Sequence, residues 1–405
     1  MTLLAGERSV ALADVATFIR GITFKPTDVV PEGTQGTVAC MRTKNVQSVL
    51  DVTDVWSVSR SFVKREDRYL RPGDVLIASA NSAHLVGRCC WVPALSRPST
   101  FGGFVSVLRA MDPAVDARYL YWWFSSPVVQ ATLRTFGRQT TNIVNLDLAR
   151  CRELRLPLPS LKEQRRIAEV LDRADALRAK RREALALLDD LAQSIFLDMF
   201  GDADGSQQGH PLVALGEMLD QPLRNGLSPA AAGRSPRQVL TLSAVTGSTF
   251  NAEAVKDALF EVDPPPIKRV SQRDLLICRG NGNRQLVGRA FFPTRDMPDT
   301  TFPDTMIAAR ISASIVRPIF LEFVWRSRGV RSQIESMSRT TNGTFKINQG
   351  SLEKVRLPLP PPELQDHFSD RIAALLATHA DQQAQSGIFC ALFASLQQRA
   401  FAGEL

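Results

Sequence analysis

The sequence is short of the residues from which metal and disulfide sites are made. Its six cysteines (Cys40, Cys89, Cys90, Cys151, Cys278, Cys390) show no C-x-x-C spacing, and its four histidines (His84, His210, His367, His379) lie far from one another. That excludes a zinc-knuckle pattern and gives no disulfide framework, so reduced thiols and no structural metal are expected. Cys89 and Cys90 read as neighbours on a strand, one buried and one half-buried by the period-2 rule. Long apolar runs are also missing. The first twenty residues lack a basic start followed by an apolar stretch, and later runs are broken by charge well before the roughly 20 residues that span a bilayer. No membrane contact and a cytoplasmic location are the expectation.

Catalytic signatures are absent in the same way. None of the lysines has Asp or Glu two positions before it, so the D/E-x-K element of metal-dependent nucleases does not occur. No G-x-x-x-x-G-K-[ST] loop exists, Gly280-Asn-Gly282 lacks the third glycine of a dinucleotide fold, and Gly-x-Ser-x-Gly is missing. Asp263-Pro-Pro-Pro266 resembles the Asp-Pro-Pro-aromatic loop of amino-methyltransferases but has Pro266 where the aromatic should stand, and it reads as a rigid loop. The expectation is a chain that is not an enzyme.

What the sequence has is ordinary bulk and unevenly placed charge. With 405 residues, 44% hydrophobic and 22% charged, it can bury two or three cores. Its net +8 lies in two blocks: residues 1 to 160 and 203 to 360 each carry +6, while 161 to 202 carry −1 and 361 to 405 carry −3. Two separate basic blocks suit a protein that touches a polyanion at two places.

The chain also repeats itself once, at an offset of 200 to 203. Val10-Ala-Leu-Ala-Asp-Val15 returns as Val213-Ala-Leu-Gly-Glu-Met218, and Pro72-Gly-Asp-Val-Leu-Ile77 as Gln272-Arg-Asp-Leu-Leu-Ile277. Leu85-Val-Gly-Arg88 returns as Leu286-Val-Gly-Arg289, and Tyr119-Leu-Tyr-Trp-Trp-Phe124 as Phe320-Leu-Glu-Phe-Val-Trp325. Thr140-Thr-Asn142 is echoed by Thr340-Thr-Asn342, and Leu154-Arg-Leu-Pro-Leu-Pro159 by Val355-Arg-Leu-Pro-Leu-Pro360. Between these segments the copies differ freely, as recognition of different targets or simple drift would both produce.

Each copy reads as mixed α/β. Short β-rich runs such as Asp74 to Ala78 and Asp274 to Cys278 are bounded by Gly, Pro and Asn. Ala117 to Phe136 and Ile319 to Met337 each read as a helix whose aromatics pack in a core rather than stack on bases. Leu-Pro-Leu-Pro then gives an extended lead-in, because proline disfavours the helical conformation in the residue before it. A long helix follows each time. In the first, Ser160 and Glu163 form a capping box, and apolar residues recur in heptads: Ile167, Ala174, Leu188 and Ile195 at a, Val170, Leu177, Ala184 and Leu191 at d, broken at Arg181. Leu171, Leu185, Ala192 and Met199 widen the stripe, and Gly201 stops it. Such a helix is about 58 Å long at about 1.5 Å per residue. The second, from Pro362 to Ala402, is apolar at both ends but polar from His379 to Gly387. Two helices of equal length that each need a partner predict an antiparallel coiled coil; a homodimeric bundle between chains is the alternative.

Two divergent domains, each followed by Leu-Pro-Leu-Pro, an acidic-Gln step (Glu163-Gln164; Glu363-Leu-Gln365) and a long helix, resemble the specificity subunits of Type I restriction-modification systems. The resemblance covers essentially the whole chain and is most specific at Leu156-Pro-Leu-Pro-Ser-Leu-Lys-Glu-Gln-Arg-Arg-Ile-Ala168; Phe200-Gly-Asp202 and Phe401-Ala-Gly-Glu-Leu405 close the helices in the family manner. It implies an α/β (α+β) fold of two target recognition domains, residues 1–159 and 203–360, separated by spacer helices at 160–202 and 361–405. Each domain would read one half of a split site on double-stranded DNA. It implies as partners two adenine methyltransferase subunits, with a motor-endonuclease subunit as a further one, and no membrane. S-adenosylmethionine, ATP and Mg would belong to those partners, leaving no cofactor in this chain. The departures are the split Glu363-Leu-Gln365 step and the polar, Gly387-containing centre of the second helix, which bear on the spacer's rigidity.

Base edges are best read by Arg on guanine and by Asn or Gln on adenine. Loops rich in those types supply the DNA-binding candidates. In the first copy they are Arg42, Lys44 and Asn45; Asn81 and His84; and Arg138, Gln139, Thr140, Thr141 and Asn142. In the second they are Arg279, Asn281, Asn283, Arg284 and Gln285, then Arg339, Thr340, Thr341, Asn342 and Lys346. Each is also an ordinary solvated or turn residue, and Gly-flanked Asn281 and Asn283 suit a turn. A scaffold whose duplicated domains bind proteins is the competing reading.

Overall fold

The computed structural model describes residues 9–139, 143–201, 209–341 and 343–405, with Thr341 described in its backbone alone. The chain divides into two compact units whose boundaries fall inside the long helices rather than at their ends. The first unit holds residues up to Glu183 together with Gln383–Leu405; the second holds Ala184–Gln382. Each unit is therefore made of the same parts: one globular copy, the start of the helix that follows it, and the end of the other long helix.

In the first unit four antiparallel strands lie in the order Ala16–Arg20, Val105–Ala110, Val75–Ala78, Cys89–Trp91. A second sheet joins Trp56–Ser59, Thr37–Met41 and Ser99–Phe101. The second unit has the matching sheet Arg224–Asn225, Met306–Arg310, Asp274–Cys278, Ala290–Phe291, and a second sheet centred on Ser235–Leu240 and Met297–Thr301. The runs Val-Leu-Ile-Ala and Asp-Leu-Leu-Ile-Cys are buried at every position, because their strands are covered on both faces. The same cover corrects the reading of Cys89 and Cys90. Both are buried, one in the core beside the long helix and the other in the core between the two sheets. Burial pushes the Cys90 thiol up to about 12.

The segments expected as single helices are each two. Ala117–Phe124 stops where Ser126 caps Pro127–Thr135 and Pro127 takes the first helical position, where its missing N–H costs nothing. The second copy breaks in the same place, between Pro318–Arg326 and Arg328–Met337, at the extended Ser327. The aromatic stripe packs inward as read: Tyr119, Trp122, Trp123 and Phe124 are all buried.

The long helices run Leu161–Phe200 and Pro362–Phe401. Ser160 Oγ accepts from the Glu163 amide at 3.3 Å, and Gly201, at φ 71°, ends the first. Within each unit the pieces pair antiparallel. In the first, Arg178 meets Phe393 and Arg181 meets Gln385 and Phe389; in the second, Asp189 meets His379 and Asp198 meets Arg371. The heptad register differs from the expected one. Leu177 is 58% and Leu191 48% exposed, and Ala184 is exposed too. The inward line instead runs through Ile167, Leu171, Ala174, Arg178, Arg181, Leu185, Leu188, Ala192, Ile195 and Met199. Apolar residues flank the a-line on both sides, so spacing alone does not choose between them. The choice falls to the partner, whose phenyl rings accept guanidinium groups: Arg178 lies 4.3 Å over Phe393 and Arg181 4.1 Å over Phe389. Arg181 is thus part of the seam. Gly387 does not interrupt the second helix, and its position has open space beside it.

One buried glutamine fastens each globular copy to its helix. Gln164 accepts from the Asp116 amide at 2.9 Å and donates to the carbonyls of Ala114 and Pro159, both at 2.9 Å. Gln365 accepts from the Arg317 amide at 2.7 Å and donates to Ile315 and Pro360 at 3.2 and 2.8 Å. The split Glu363-Leu-Gln365 step therefore keeps the residue that makes the joint.

Candidate nucleic-acid interface

In both copies a short three-stranded sheet stands apart from the main ones. In the first copy it consists of Gly137–Gln139, Val144–Leu146 and Ala80–Asn81; in the second of Arg339–Thr341, Thr344–Lys346 and Gly280–Asn281. The registers correspond: Arg138 faces Asn145 and Val144 faces Asn81, while Arg339 faces Lys346 and Phe345 faces Asn281. Candidates 57 residues apart in sequence, such as Asn81 and Arg138, are thereby brought onto one surface element. Arg138, Gln139, Arg339, Thr340 and Lys346 are exposed on it. Thr140, Thr141, Asn142 and Asn342 lie outside the described residues.

The immediate surroundings set how these groups are held. Arg138 is 78% exposed yet pairs with Asp147 at 2.5 Å. Asp147 also caps the helix Leu148–Arg152, accepting from the amides of Ala149 and Arg150 at 3.0 and 3.3 Å. The Arg150 amide, and after it the Arg138 charge, hold its carboxyl below the usual carboxylate range. In the second copy Asn348 takes that capping place and accepts from Ser351. Beside the second sheet, Asn281 accepts from the Asn283 amide at 2.9 Å and Asn283 from the Gln285 amide at 3.0 Å, a turn built from successive side-chain caps. Arg284 is exposed and donates to the Glu335 carbonyl at 2.8 Å; Arg279 donates to the Asp304 carbonyl at 3.1 Å. Gln285 and His84 are exposed.

The first group of candidates behaves differently. Asn45 is fully buried, accepts from the Arg42 amide at 2.8 Å, and donates to the carbonyls of Asp51 and Asp54. It folds its own loop, and we withdraw it from the interface. Arg42 lies 4.0 Å over Trp56 and pairs with Asp54, which also binds Lys44. Asn145 was missed in the sequence reading. It is exposed and directly opposite Arg138. Its signal was the repeat itself, since an offset of 201 from Lys346 lands on it.

The comparisons with known proteins point the same way. The family model of the Type I restriction modification DNA specificity domain matches residues 8–187. The Type I restriction enzyme EcoKI specificity subunit of Escherichia coli (strain K12) is 25% identical over 419 residues, covering 97% of this chain and 88% of the relative. The StySPI specificity subunit of Salmonella potsdam is 25% identical over 421 residues, covering 99% and 89%. Among solved structures, the S subunit of a Type I restriction-modification system from M. genitalium has the same fold, with a TM-score of 0.54 and 14% identity over 99% of this chain and 98% of that one. A chain from a structure of Type I system assembly and conformational transition has a TM-score of 0.50 and 18% identity, with complete coverage of both chains. The duplicated α/β fold with two long helices is thus one already seen in Type I system subunits. Residues 8–187 match the Type I DNA specificity domain, and over nearly its whole length the chain is similar to the specificity subunits of Type I restriction-modification systems. Among the described residues no helix is long and apolar enough to cross a membrane.

Proposed function

We propose that each globular copy reads one half of a two-part site on double-stranded DNA, using the three-stranded sheet and its flanking turn. The observation that carries this is that both copies build that sheet in the same register and place different polar side chains on it. In this reading the paired helices set the separation of the half-sites and dock two adenine methyltransferase subunits, with a motor-endonuclease subunit as a further partner. A helix of 40 residues is about 60 Å long, ample for half-sites about 34 to 36 Å apart per turn of B-DNA. The chain itself is non-catalytic, uses no cofactor and works in the cytoplasm; S-adenosylmethionine, ATP and Mg serve its partners.

The test is to measure DNA binding and adenine methylation by the chain alone and by the chain co-expressed with a methyltransferase subunit, over a salt series. Site-specific methylation of a two-part sequence by the complex only, with affinity falling steeply in salt, is the expected result. Arg138→Ala and Arg284→Ala should each weaken site binding about tenfold. Stable assembly without DNA binding would instead identify a protein scaffold, and methylation by the chain alone would reveal an active site within it.

A further inference from the structure

We infer that the two recognition sheets divide the work: the second grips the DNA backbone through Arg339 and Lys346 and leaves base reading in its half-site to the flanking turn, while the first reads base edges through Arg138 and Asn145. This rests on the DNA reading proposed above and goes beyond it by giving the two copies different kinds of contact.

Residues directly opposite across an antiparallel pair share a face of the sheet, and like charges so placed repel. Arg339 and Lys346 are such a pair, and both are exposed. Asn348 stands where the first copy has the carboxylate of Asp147, so the acid that partners Arg138 has no counterpart at that position. The Lys346 stem lies over Gly280, where an added Cβ would come within 3.1 Å of Lys346 Cγ. The first copy has Ala80 at the matching position, beneath the shorter Asn145. Arg339 also borders an open depression of about 470 Å³ shared with Asn348, Ser351, Lys354, Arg356 and a single acid, Glu353. Two opposed cations beside a basic depression are stabilised by an anion lying between them, and the DNA backbone supplies a row of phosphates.

The first sheet is arranged for a different contact. Asp147 partly neutralises Arg138 and orients its guanidinium, while leaving it 78% exposed. Opposite it Asn145 offers a donor and an acceptor side by side. An oriented Arg and an Asn are the side chains whose paired hydrogen bonds match guanine and adenine edges.

The experiment uses the full chain assembled with its methyltransferase subunits. Binding to a duplex of unrelated sequence is followed over a salt series, and the recognised motif is mapped by adenine methylation of total DNA. Lys346→Asn should reduce the slope of log affinity against log salt by about one, weaken related and unrelated duplexes alike, and leave the motif unchanged. Asn145→Ala should leave the slope unchanged and relax one position of one half-site by about tenfold. The reverse pattern, with Lys346→Asn altering the motif at constant slope or Asn145→Ala altering the slope at constant motif, overturns the division while the DNA reading survives. A wild-type complex with no salt-dependent DNA affinity overturns that reading and the division with it.

Discussion

The two units solve one docking problem with different chemistry. In the first, the end of the second long helix adds polar groups to the packing of Phe393 on Trp122 at 5.6 Å: buried Gln397 donates to the Trp122 carbonyl at 2.7 Å, and Trp122 in turn donates to Asp172 at 2.8 Å. Arg118 binds the same Asp172 at 2.6 Å and lies within 5.0 Å of the rings of Trp91, Tyr121 and Trp122. In the second unit, Phe196 sits where the repeat places it opposite Gln397, and it packs against Phe200, Phe320, Phe323 and Phe368 at 5.2 to 6.0 Å. What is shared is the terminal aromatic contact, Tyr119 to Phe401 at 5.3 Å and Phe320 to Phe200 at 5.0 Å. The backbone arrangement thus depends on a few repeated joints, and the rest of each interface is free to become polar or apolar.

The largest expected effect follows from that contrast. Phe196→Ala empties the centre of a phenyl cluster and should cost about 4 kcal/mol of stability. Gln397→Ala leaves the Trp122 carbonyl only the longer bond from Ser125 Oγ at 3.2 Å and should cost about 1.5 kcal/mol. Urea unfolding of both variants measures the difference. Equal losses would mean that the polar clasp carries as much of the docking as the phenyl cluster.

A buried carboxylate separates the copies next. Asp74 binds Arg109 at 2.6 and 2.7 Å, and Arg109 also donates to the carbonyls of Asp67 and Tyr69. Asp274 binds Arg310 at 2.5 and 2.9 Å and additionally Arg224 at 2.7 Å, where the first copy has Ile19 in the same register. Removing one partner of a buried ion pair strands the other. Asp274→Asn strands Arg310, leaves Arg224 only Gln221 as acceptor, and should cost about 3 kcal/mol. Asp74→Asn leaves Arg109 two carbonyl acceptors and should cost about 2 kcal/mol. Thermal unfolding that ranked them the other way would show that Arg224 destabilises the site it occupies.

These contrasts also show what was legible beforehand. Self-similarity gave the duplicated α/β copies and the two long helices, since it needs only order and spacing. The aromatic stripe and the Ser160 cap were legible because they depend on local periodicity and capping. The helix break at Ser126-Pro127 was written in the residues and overlooked. The coiled-coil register was not legible, because Arg178 and Arg181 count as interruptions until Phe389 and Phe393 are brought beneath them. At the interface, residue type selected Arg138, Arg339 and Lys346, yet the same rule selected Asn45, which spends its amide on Asp51 and Asp54. Composition does not distinguish an asparagine that caps its own loop from one that faces outward; only the hydrogen-bond partners do. Asn145 and Asn81 become neighbouring strand residues only after a crossing of more than 60 residues.

The smallest effect concerns a charge-reversed pair at the matching joint of the two copies. Asp116 lies 3.9 Å from Arg165, whereas in the second copy the signs are exchanged and Arg317 binds Asp366 at 2.5 and 2.8 Å. Each domain therefore carries at its joint the charge that suits its own helix and repels the other's, which favours correct pairing of two otherwise similar parts. Hydrogen bonds from Arg317, and then its charge, hold the Asp366 carboxyl below the usual carboxylate range. A carboxyl depressed in the folded chain stabilises it above the unfolded value, and that contribution is lost as pH falls through the folded value. Arg317→Asp should lower the melting temperature at neutral pH by less than either substitution above, because the pair is partly exposed. Arg317→Asp combined with Asp366→Arg should restore it, and Asp366→Asn should flatten the acid side of the stability profile. If the double variant stays as unstable as the single one, Arg317 acts through its other contact, the Ala313 carbonyl, and the reversed charges carry no pairing preference.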